Sequence, residues 1–425
     1  MKWFLILAGL FVMTQLSVAQ LPAQEENVLD WDIDSIFDAP LEEEPSEEIK
    51  TAAGGDTIKK LIKQRGFTFD ASFEFLAGIA PGWREAPWLT AEDYGFHLDR
   101  YIKLRSTLGM DAQISEFFRV KSVVFFEIPI FSFSLGDFFF DYNIFNVVFF
   151  RGGKYNHSWG ISPNFGFTNL LSRVPKNSSA GDSFILKADV PAGIGGFQVL
   201  ALTRADLMTS APLLTKEDFA YGGKYNLALR WADLDMGIFY QEGMALRTFL
   251  SVKTTVLKTE LYSEGLIAID VHEPSNVSGA VNIGFARDFF GDRFNVNGEI
   301  FYNAEKDVYW YRPESNIREA GTSPFIEGIN GALNLQYRFG GKADPRIFTQ
   351  VLYAPMENSA RLIPGFRISP WSHLEIYLAL PMALGGRDGY YYNNTPTVDT
   401  LNNPIPFCLM LIFSLSGSIQ AGYYY

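Results

Sequence analysis

The sequence predicts an all-β fold: a transmembrane antiparallel up-and-down β-barrel of about 16 strands (14–18), preceded by a disordered acidic N-terminal segment. Three observations predict it. Strands with one apolar and one polar face recur along the chain, no long apolar helix follows the N-terminal leader, and short turns alternate with long loops. The composition agrees, because 48% of the residues are hydrophobic and 16% are aromatic. A barrel in lipid needs both an apolar outer band and aromatic girdles.

The first residues predict export. Within residues 1–19, Lys2 precedes an apolar run over residues 3–13, and Ser17-Val18-Ala19 supplies small residues before a cleavage point. This is the pattern of a secretory signal peptide, so we predict cleavage after Ala19. The apolar run is shorter than the roughly 20 residues that a membrane-spanning helix needs.

Residues 20–64 form a separate acidic segment. Residues 21–50 hold eleven carboxylates and one lysine, a net charge of −10, whereas residues 51–425 together carry only −4. Such a charge run predicts a mostly disordered, solvated segment in the periplasm. Inside it, VLDWDIDSIFD interleaves apolar residues with acids, including Trp31 and Phe37. These residues indicate a docking function, either as a plug of the barrel or as a peptide that binds a periplasmic partner.

The predicted barrel occupies residues 65–425 and opens with a strict alternation. In GFTFDASFEFLAG, which begins at Gly66, Phe and Ala alternate with polar residues. The same alternation recurs near residues 102–114, 184–190, 225–231, 250–256, 281–285, 294–302, 333–339 and 374–380. A side-chain period of two directs one set toward lipid and the other toward the interior. A soluble β-sandwich or propeller, the alternative fold, does not explain the export signal and the long strands together.

The connections are of two kinds. Short turns rich in Gly, Pro, Asp or Ser are predicted at 232–233, 288–292, 340–345 and 369–372. Long loops are predicted at 79–95, 172–182, 304–330 and 385–404. In bacterial barrels the short turns face the periplasm, and periplasmic termini require an even number of strands. At roughly 20–23 residues per strand and connection, the chain provides about 16 strands.

The last strand resembles a known family. Residues 409–425 alternate apolar and polar side chains and end on an aromatic residue. This pattern resembles the closing strand of bacterial outer-membrane β-barrels, with the match carried by Ile419, Ala421, Tyr423 and Tyr425. The resemblance implies a porin-like barrel in the outer membrane of a diderm bacterium. It also implies contact with the lipid bilayer and recognition of these four residues by the barrel-assembly machinery.

Residues 151–171 break the alternation and are dense in Gly, Asn and aromatic residues. Gly153, Lys154, Trp159, Gly160 and Asn169 resemble a motif in porins of the alginate-export-like kind, where a strand end leads into a folded-in loop. The resemblance implies a constriction loop that narrows a pore. The alternative is an extracellular loop that packs on the rim.

Charged residues on the polar faces are the predicted pore lining. Their signs are mixed, so the sequence predicts weak selectivity and passive diffusion of small hydrophilic solutes. The candidates are Lys103, Arg105, Asp111, Lys187, Asp189, Lys224, Arg230, Lys253, Glu299, Arg338 and Glu375.

The sequence shows no pattern for catalysis or metal binding. None of the four His has another His or a Cys at i+2 or i+4, and the single Cys408 allows no internal disulfide. We predict no catalytic residue, metal, cofactor or nucleic-acid partner. The alternatives are a plugged transporter for hydrophobic substrates, similar to fatty-acid channels and with residues 21–64 as the plug, or a surface barrel. Such a barrel would act as an adhesin through loops 304–330 and 385–404, or as an enzyme that uses His373.

Overall fold

The computed structural model describes residues 66–83, 96–129, 131–155, 157–165, 184–203, 216–242, 244–271, 274–275, 277–304, 327–385, 389–393 and 407–424. The predicted signal peptide and acidic segment, together with Asn169 and Tyr425, lie outside these residues.

Twenty β-segments form one antiparallel sheet. They are β1 (Gly66–Trp83), β2 (Phe96–Gln113), β3 (Phe118–Ile128), β4 (Ser132–Ile144), β5 (Val148–Lys154), β6 (Phe184–Ala192), β7 (Gly195–Thr203), β8 (Phe219–Ala228), β9 (Asp233–Gln241), β10 (Leu246–Val256), β11 (Thr259–Ile269), β12 (Val277–Phe289), β13 (Phe294–Asn303), β14 (Gly328–Arg338), β15 (Arg346–Ala354), β16 (Ser359–Trp371), β17 (Leu374–Ala379), β18 (Met382–Gly385), β19 (Phe407–Cys408) and β20 (Met410–Tyr424). One short helix, α1 (Tyr390–Asn393), follows β18. In the described ranges, no helix is long and apolar enough to cross a membrane.

The sheet closes on itself into a barrel. β1 pairs with β2 on one side and with β20 on the other, where Gly66 lies opposite Tyr424. The segments β17 and β18 both pair with β16, and β19 and β20 both pair with β1, so each pair of segments is one interrupted strand. The twenty segments therefore make 18 strands, which confirms the up-and-down barrel and corrects the predicted number of about 16.

The strand number was underestimated because some connections are very short. Only Gly193 and Ile194 join β6 to β7, so two strands and their turn occupy residues 184–203. The chain therefore needs fewer residues per strand at this place than the sequence estimate assumed.

The long connections all lie at one end of the barrel. Turns after the even-numbered segments from β2 to β16 contain two to seven residues, whereas long connections occupy 84–95, 155–183, 304–327 and 386–406 at the other end. The turn predicted at 369–372 was misplaced, because a bulge between Ile368 and Trp371 lets β16 continue to Trp371. Ser372 and His373 form the turn instead, so His373, the residue named for the enzyme alternative, lies in a turn and not on a strand.

Large apolar side chains cover the outer face. Ile283, Ile300 and Ile419 are each more than 60% exposed. The short turns add further apolar groups, and Phe145 and Leu257 are both 85% exposed. Such a continuous apolar surface is unfavourable in water, and lipid chains cover it in a membrane-embedded barrel.

Candidate pore and inward loop

The strand register identifies the residues that face the barrel interior. Residues directly opposite each other in antiparallel strands share a face. From Glu299 on β13, the register leads through Gly284 and Tyr262 to Lys253 on β10. Tracing it around the sheet puts ten of the eleven predicted lining residues on this inner face, namely Lys103, Arg105, Asp111, Lys187, Asp189, Lys224, Lys253, Glu299, Arg338 and Glu375. Arg230 lies in the turn between β8 and β9 instead.

Most charged groups of the inner face form ion pairs. The measured pairs are Lys103–Glu127 (3.3 Å), Arg105–Glu127 (2.6 Å), Lys187–Asp189 (2.9 Å), Lys224–Asp235 (2.9 Å), Lys253–Glu260 (2.8 Å), Arg338–Asp344 (2.9 Å) and Arg367–Glu375 (2.6 Å). Asp111 also pairs with Arg119. Neighbouring charges therefore compensate each other, and the described part of the inner face is neither strongly basic nor strongly acidic.

The sequence reading missed several inner-face residues. Arg151 on β5 binds Asp141 on β4 at 2.6 Å, and its guanidinium lies 4.3 Å from the centre of the Phe139 ring. These residues lie in the aromatic-rich stretch 137–151, where Phe faces both sides and hides the alternation. Counting every second residue from Asp137 would have placed Asp141 on the inner face.

After β5 the chain turns into the barrel. We call Tyr155 together with residues 157–165 the inward loop. Trp159 is 2% exposed, and its Nε1 donates to Oε1 of Gln198 on β7 at 2.6 Å. Its ring lies 6.1 Å from that of Phe239 and 5.5 Å from that of Phe249, centre to centre. The first part of the loop is therefore docked on β7, β9 and β10.

A neighbouring strand provides the space for Trp159. A Cβ at Gly222 on β8 would lie 2.6 Å from the indole ring, closer than carbon atoms approach. Gly222 begins a Gly-Gly-Lys-Tyr-Asn stretch at 222–226 that repeats the sequence of residues 152–156. The sequence analysis did not identify Gly222, although this glycine leaves the space that the Trp159 ring occupies.

Two carboxylates hold the rest of the loop. The backbone N–H of Ile161 donates to Oε1 of Glu264 at 2.5 Å, and the backbone N–H of Asn164 donates to Oε1 of Glu299 at 3.0 Å. The ring of Phe165 stacks on that of Phe301 at 5.0 Å. Glu299, predicted to line the pore, is 3% exposed and lies beneath the loop. The loop therefore crosses the inner face from β7 to β13.

An apolar core lies between the inward loop and the barrel. It consists of Phe139, Tyr155, Trp159, Phe165, Ile185, Leu200, Leu202, Ala220, Phe239, Phe249, Leu266, Ala280, Phe301 and Ala332. Apolar side chains on the inner face of a wide barrel need a cover that excludes water, and the inward loop is that cover.

The other residues of the predicted constriction motif lie at the bend. Gly153, the residue before the last of β5, has a φ of 141°, and a Cβ there would clash with the carbonyl oxygen of Phe138. The Nζ of Lys154 donates to the carbonyl oxygen of Leu135. Gly160 has a φ of 100°, which favours glycine. That the loop constricts a pore stays a prediction at this point.

Burial changes the titration of two loop residues. Burial lowers the pKa of His157 most. The positive charges of Lys187 and Lys224 lower this pKa further, whereas the hydrogen bond to Gln198 and the negative charge of Asp189 raise it. The His157 Nε2 lies 3.1 Å from Oε1 of Gln198. Burial also raises the pKa of Tyr155. Both side chains are therefore neutral in the docked loop at neutral pH.

A second element packs inside the long-loop end. The backbone N–H of Tyr391 in α1 donates to Oγ of Ser359 at 2.9 Å, and that of Tyr390 donates to Oε2 of Glu357 at 3.0 Å. Tyr391 is 6% exposed and packs against Ala354. This buried tyrosine, predicted to belong to an exposed loop, does not offer a surface for adhesion.

The predicted assembly signal lies on the closing strand. Ile419, Ala421 and Tyr423 on β20 lie opposite Ala71, Phe69 and Phe67 on β1, respectively. Ile419 is 76% exposed on the outer face. Over the described residues, no group of three or more His, Cys, Asp or Glu is arranged to hold a metal ion.

Solved structures share this fold, although no family model and no curated protein sequence matches the chain. OpdO of Pseudomonas aeruginosa has a TM-score of 0.54 and 12% identity, covering 83% of this chain and 97% of that one. OccAB4 of Acinetobacter baumannii has a TM-score of 0.51 and 8% identity, covering 84% and 100%. The outer membrane protein opdK of Pseudomonas aeruginosa has a TM-score of 0.50 and 9% identity, covering 83% and 99%. The likeness to an outer-membrane barrel, expected from the last strand, is confirmed at the level of the fold.

Proposed function

We propose that this protein is a porin-like channel of the outer membrane through which small hydrophilic solutes diffuse passively. The observation that carries the proposal is the division of the barrel interior. Among the described residues, the inward loop packs on the inner face of β7–β14, here called the covered wall. On the inner face of β16–β20 and β1–β3, here called the open wall, α1 packs near Ser359 at the long-loop end, whereas Ser416 is exposed to the lumen. A barrel of this size encloses an aqueous passage unless something fills it.

The chemistry of the open wall supports a passage for hydrophilic solutes. It carries serine hydroxyls on β20 together with the ion pairs Arg105–Glu127 and Arg367–Glu375. Charged and hydroxyl groups remain hydrated and bind polar solutes only weakly, which permits rapid transit. Over the part of the chain that the structure describes, the apolar core is buried beneath the inward loop, which argues against a site there for a hydrophobic substrate. We assign the protein no catalytic activity.

The orientation follows from the two ends of the barrel. We place the short turns and the acidic segment 20–64 in the periplasm and the long loops outside the cell, as in bacterial barrels. In this orientation β1 begins and β20 ends on the periplasmic side. The bilayer contacts the outer face, and the barrel-assembly machinery recognises Ile419, Ala421, Tyr423 and Tyr425.

Single-channel conductance in a planar bilayer tests the proposal. We expect steady openings from the folded full-length protein and from a variant that lacks residues 21–60, with weak ion preference in both. A full-length protein that stays closed but opens on truncation would identify a plugged transporter instead. The absence of openings in both forms would contradict a channel function.

A further inference from the structure

We infer that Glu299 is the anchor that positions the inward loop, so that this one buried carboxylate sets the width of the passage. The inference rests on the proposed channel function. Glu299 is a positioning residue, because it acts on solutes only through the loop that it holds.

The contacts of Glu299 carry the inference. Six groups donate to its two oxygens, and four of them belong to the loop. They are Ser162 Oγ (2.8 Å), the Asn164 backbone N–H (3.0 Å), Asn164 Nδ2 (3.1 Å), the Phe165 backbone N–H (3.3 Å), Tyr262 Oη (2.9 Å) and Asn282 Nδ2 (3.2 Å). All six donors are neutral. Among the described residues, the carboxylate is therefore held by the loop and by its neighbouring strands rather than by a cation.

The chemistry of this position requires a carboxylate. An ionised carboxylate only accepts hydrogen bonds and offers about four lone-pair sites to donors. Glutamine has nearly the same shape, but its NH₂ group would face donors that it cannot bind. Hydrogen bonds to a charged acceptor are also stronger than those between neutral groups. Glu299→Gln therefore removes the attachment of the loop with little change in volume.

A second attachment limits the expected displacement. Glu264 on β11 is fully buried and accepts the N–H of Ile161, while Trp159 stays docked near Gln198. Loss of the Glu299 contacts should thus free the loop beyond residue 161. That part lies beside β13 and β14, where Asn164 also contacts Asn297 and Asn334.

Conductance of Glu299→Gln tests the anchor. The matched control is Glu260→Gln, an inner-face carboxylate that pairs with Lys253 and has a side chain 36% exposed. Both variants remove one negative charge from the lumen, so an effect of charge alone appears in both. We expect the conductance of Glu299→Gln to rise by about twofold or more, with added noise, and that of the control to stay near the native value.

Thiol labelling supplies a readout that a merely weakened barrel would not change. Pro163→Cys, in the part of the loop that Glu299 holds, is introduced into a Cys408→Ser background, and its reaction with a water-soluble thiol reagent is timed with and without Glu299→Gln. We expect faster labelling when Glu299 is replaced, in protein that still migrates as a folded barrel on a gel. If Glu299→Gln does not fold, Asn164→Ala replaces it, because it removes one of the loop's two side-chain donors to Glu299 and leaves the strand intact.

The outcomes separate the two proposals. Unchanged conductance and labelling would overturn the anchor and leave the channel function standing. A native protein without openings would overturn the channel function, whereas faster labelling in Glu299→Gln would still support the anchor. An equal rise in conductance in Glu299→Gln and Glu260→Gln would assign the effect to charge and overturn the anchor.

Discussion

The covered wall and the open wall use the same types of residue in opposite ways. On the covered wall, Glu264 and Glu299 are buried and accept hydrogen bonds from the inward loop. On the open wall, Glu127 and Glu375 are partly exposed and pair with arginines. A polar residue on an inner strand face is therefore not always a pore-lining residue. It lines the pore only if no other part of the chain covers its side chain.

The two walls should respond differently to substitution. The covered wall is packed like a protein core, where removal of a large side chain costs about 2–5 kcal/mol. The open wall is solvated, and an exposed ion pair contributes about 0–1 kcal/mol. Substitutions on the covered wall should thus alter loop position and stability, whereas those on the open wall should alter mainly which ions pass.

The largest effect is expected for Trp159→Ala. The substitution removes the ring that packs on Phe239 and Phe249 and should cost about 3–5 kcal/mol of the free energy that docks the loop. Conductance should rise, and urea unfolding should show the loss of stability. Trp371→Ala is the control, because this side chain is 70% exposed in the outer band and should change neither the conductance nor the loop.

A smaller effect is expected when one methyl group is added beneath the loop. Gly222→Ala places a Cβ 2.6 Å from the Trp159 ring and should displace it, at about 1–3 kcal/mol. Gly223→Ala is a matched control on the same strand, since the nearest atom to its Cβ lies 3.8 Å away. Gly222→Ala should change the tryptophan fluorescence clearly, whereas Gly223→Ala should leave it unchanged. Equal changes would show that Trp159 is not seated as described.

A modest change in selectivity is expected on the open wall. Glu375→Gln leaves the guanidinium of Arg367 without the carboxylate 2.6 Å away. The reversal potential in a salt gradient should move toward anion preference, while the single-channel conductance stays within the native range. A large increase in conductance would mean that this wall also holds the inward loop.

The smallest effect is a pH dependence of loop docking. Because the pKa of His157 is lowered in the docked loop, a released loop binds a proton more readily than a docked one. Docking is therefore strongest above the ordinary histidine pKa of about 6.5 and weakens as the pH falls below it, until the docked histidine also protonates. Channel noise should increase between pH 7.5 and pH 5. His157→Gln should abolish that increase, and an unchanged pH response in this variant would exclude His157 as its source.

The sequence predicted the barrel well because strand alternation is a local property. The start of β1 at Gly66, the inner position of Lys253 and the outer position of Ile419 follow from a period of two. Burial of Glu299 could not be predicted in this way, since it depends on residues 134–137 positions earlier in the chain. The likeness of residues 153–160 to a folded-in loop was the only local sign of this contact.

Two further differences from the sequence prediction have separate causes. The strand number was too low because tight turns such as Gly193-Ile194 shorten the repeat. The inward packing of Tyr391 was not foreseen, because its contacts with Ser359 and Ala354 join segments that are distant in sequence. Loop positions inside a barrel depend on such long-range contacts, and hydrophobic alternation carries no information about them.

Thiol blocking of two serines tests the division of the lumen most directly. Ser416→Cys on β20 and Ser251→Cys on β10 are made separately in a Cys408→Ser background, and a bulky water-soluble thiol reagent is added during conductance recording. Ser416 is exposed on the open wall, whereas Ser251 is 2% exposed beneath the loop and donates to Glu264. A passage along the open wall predicts a stepwise fall in current for Ser416→Cys and none for Ser251→Cys. A fall in current for Ser251→Cys, with none for Ser416→Cys, would contradict it.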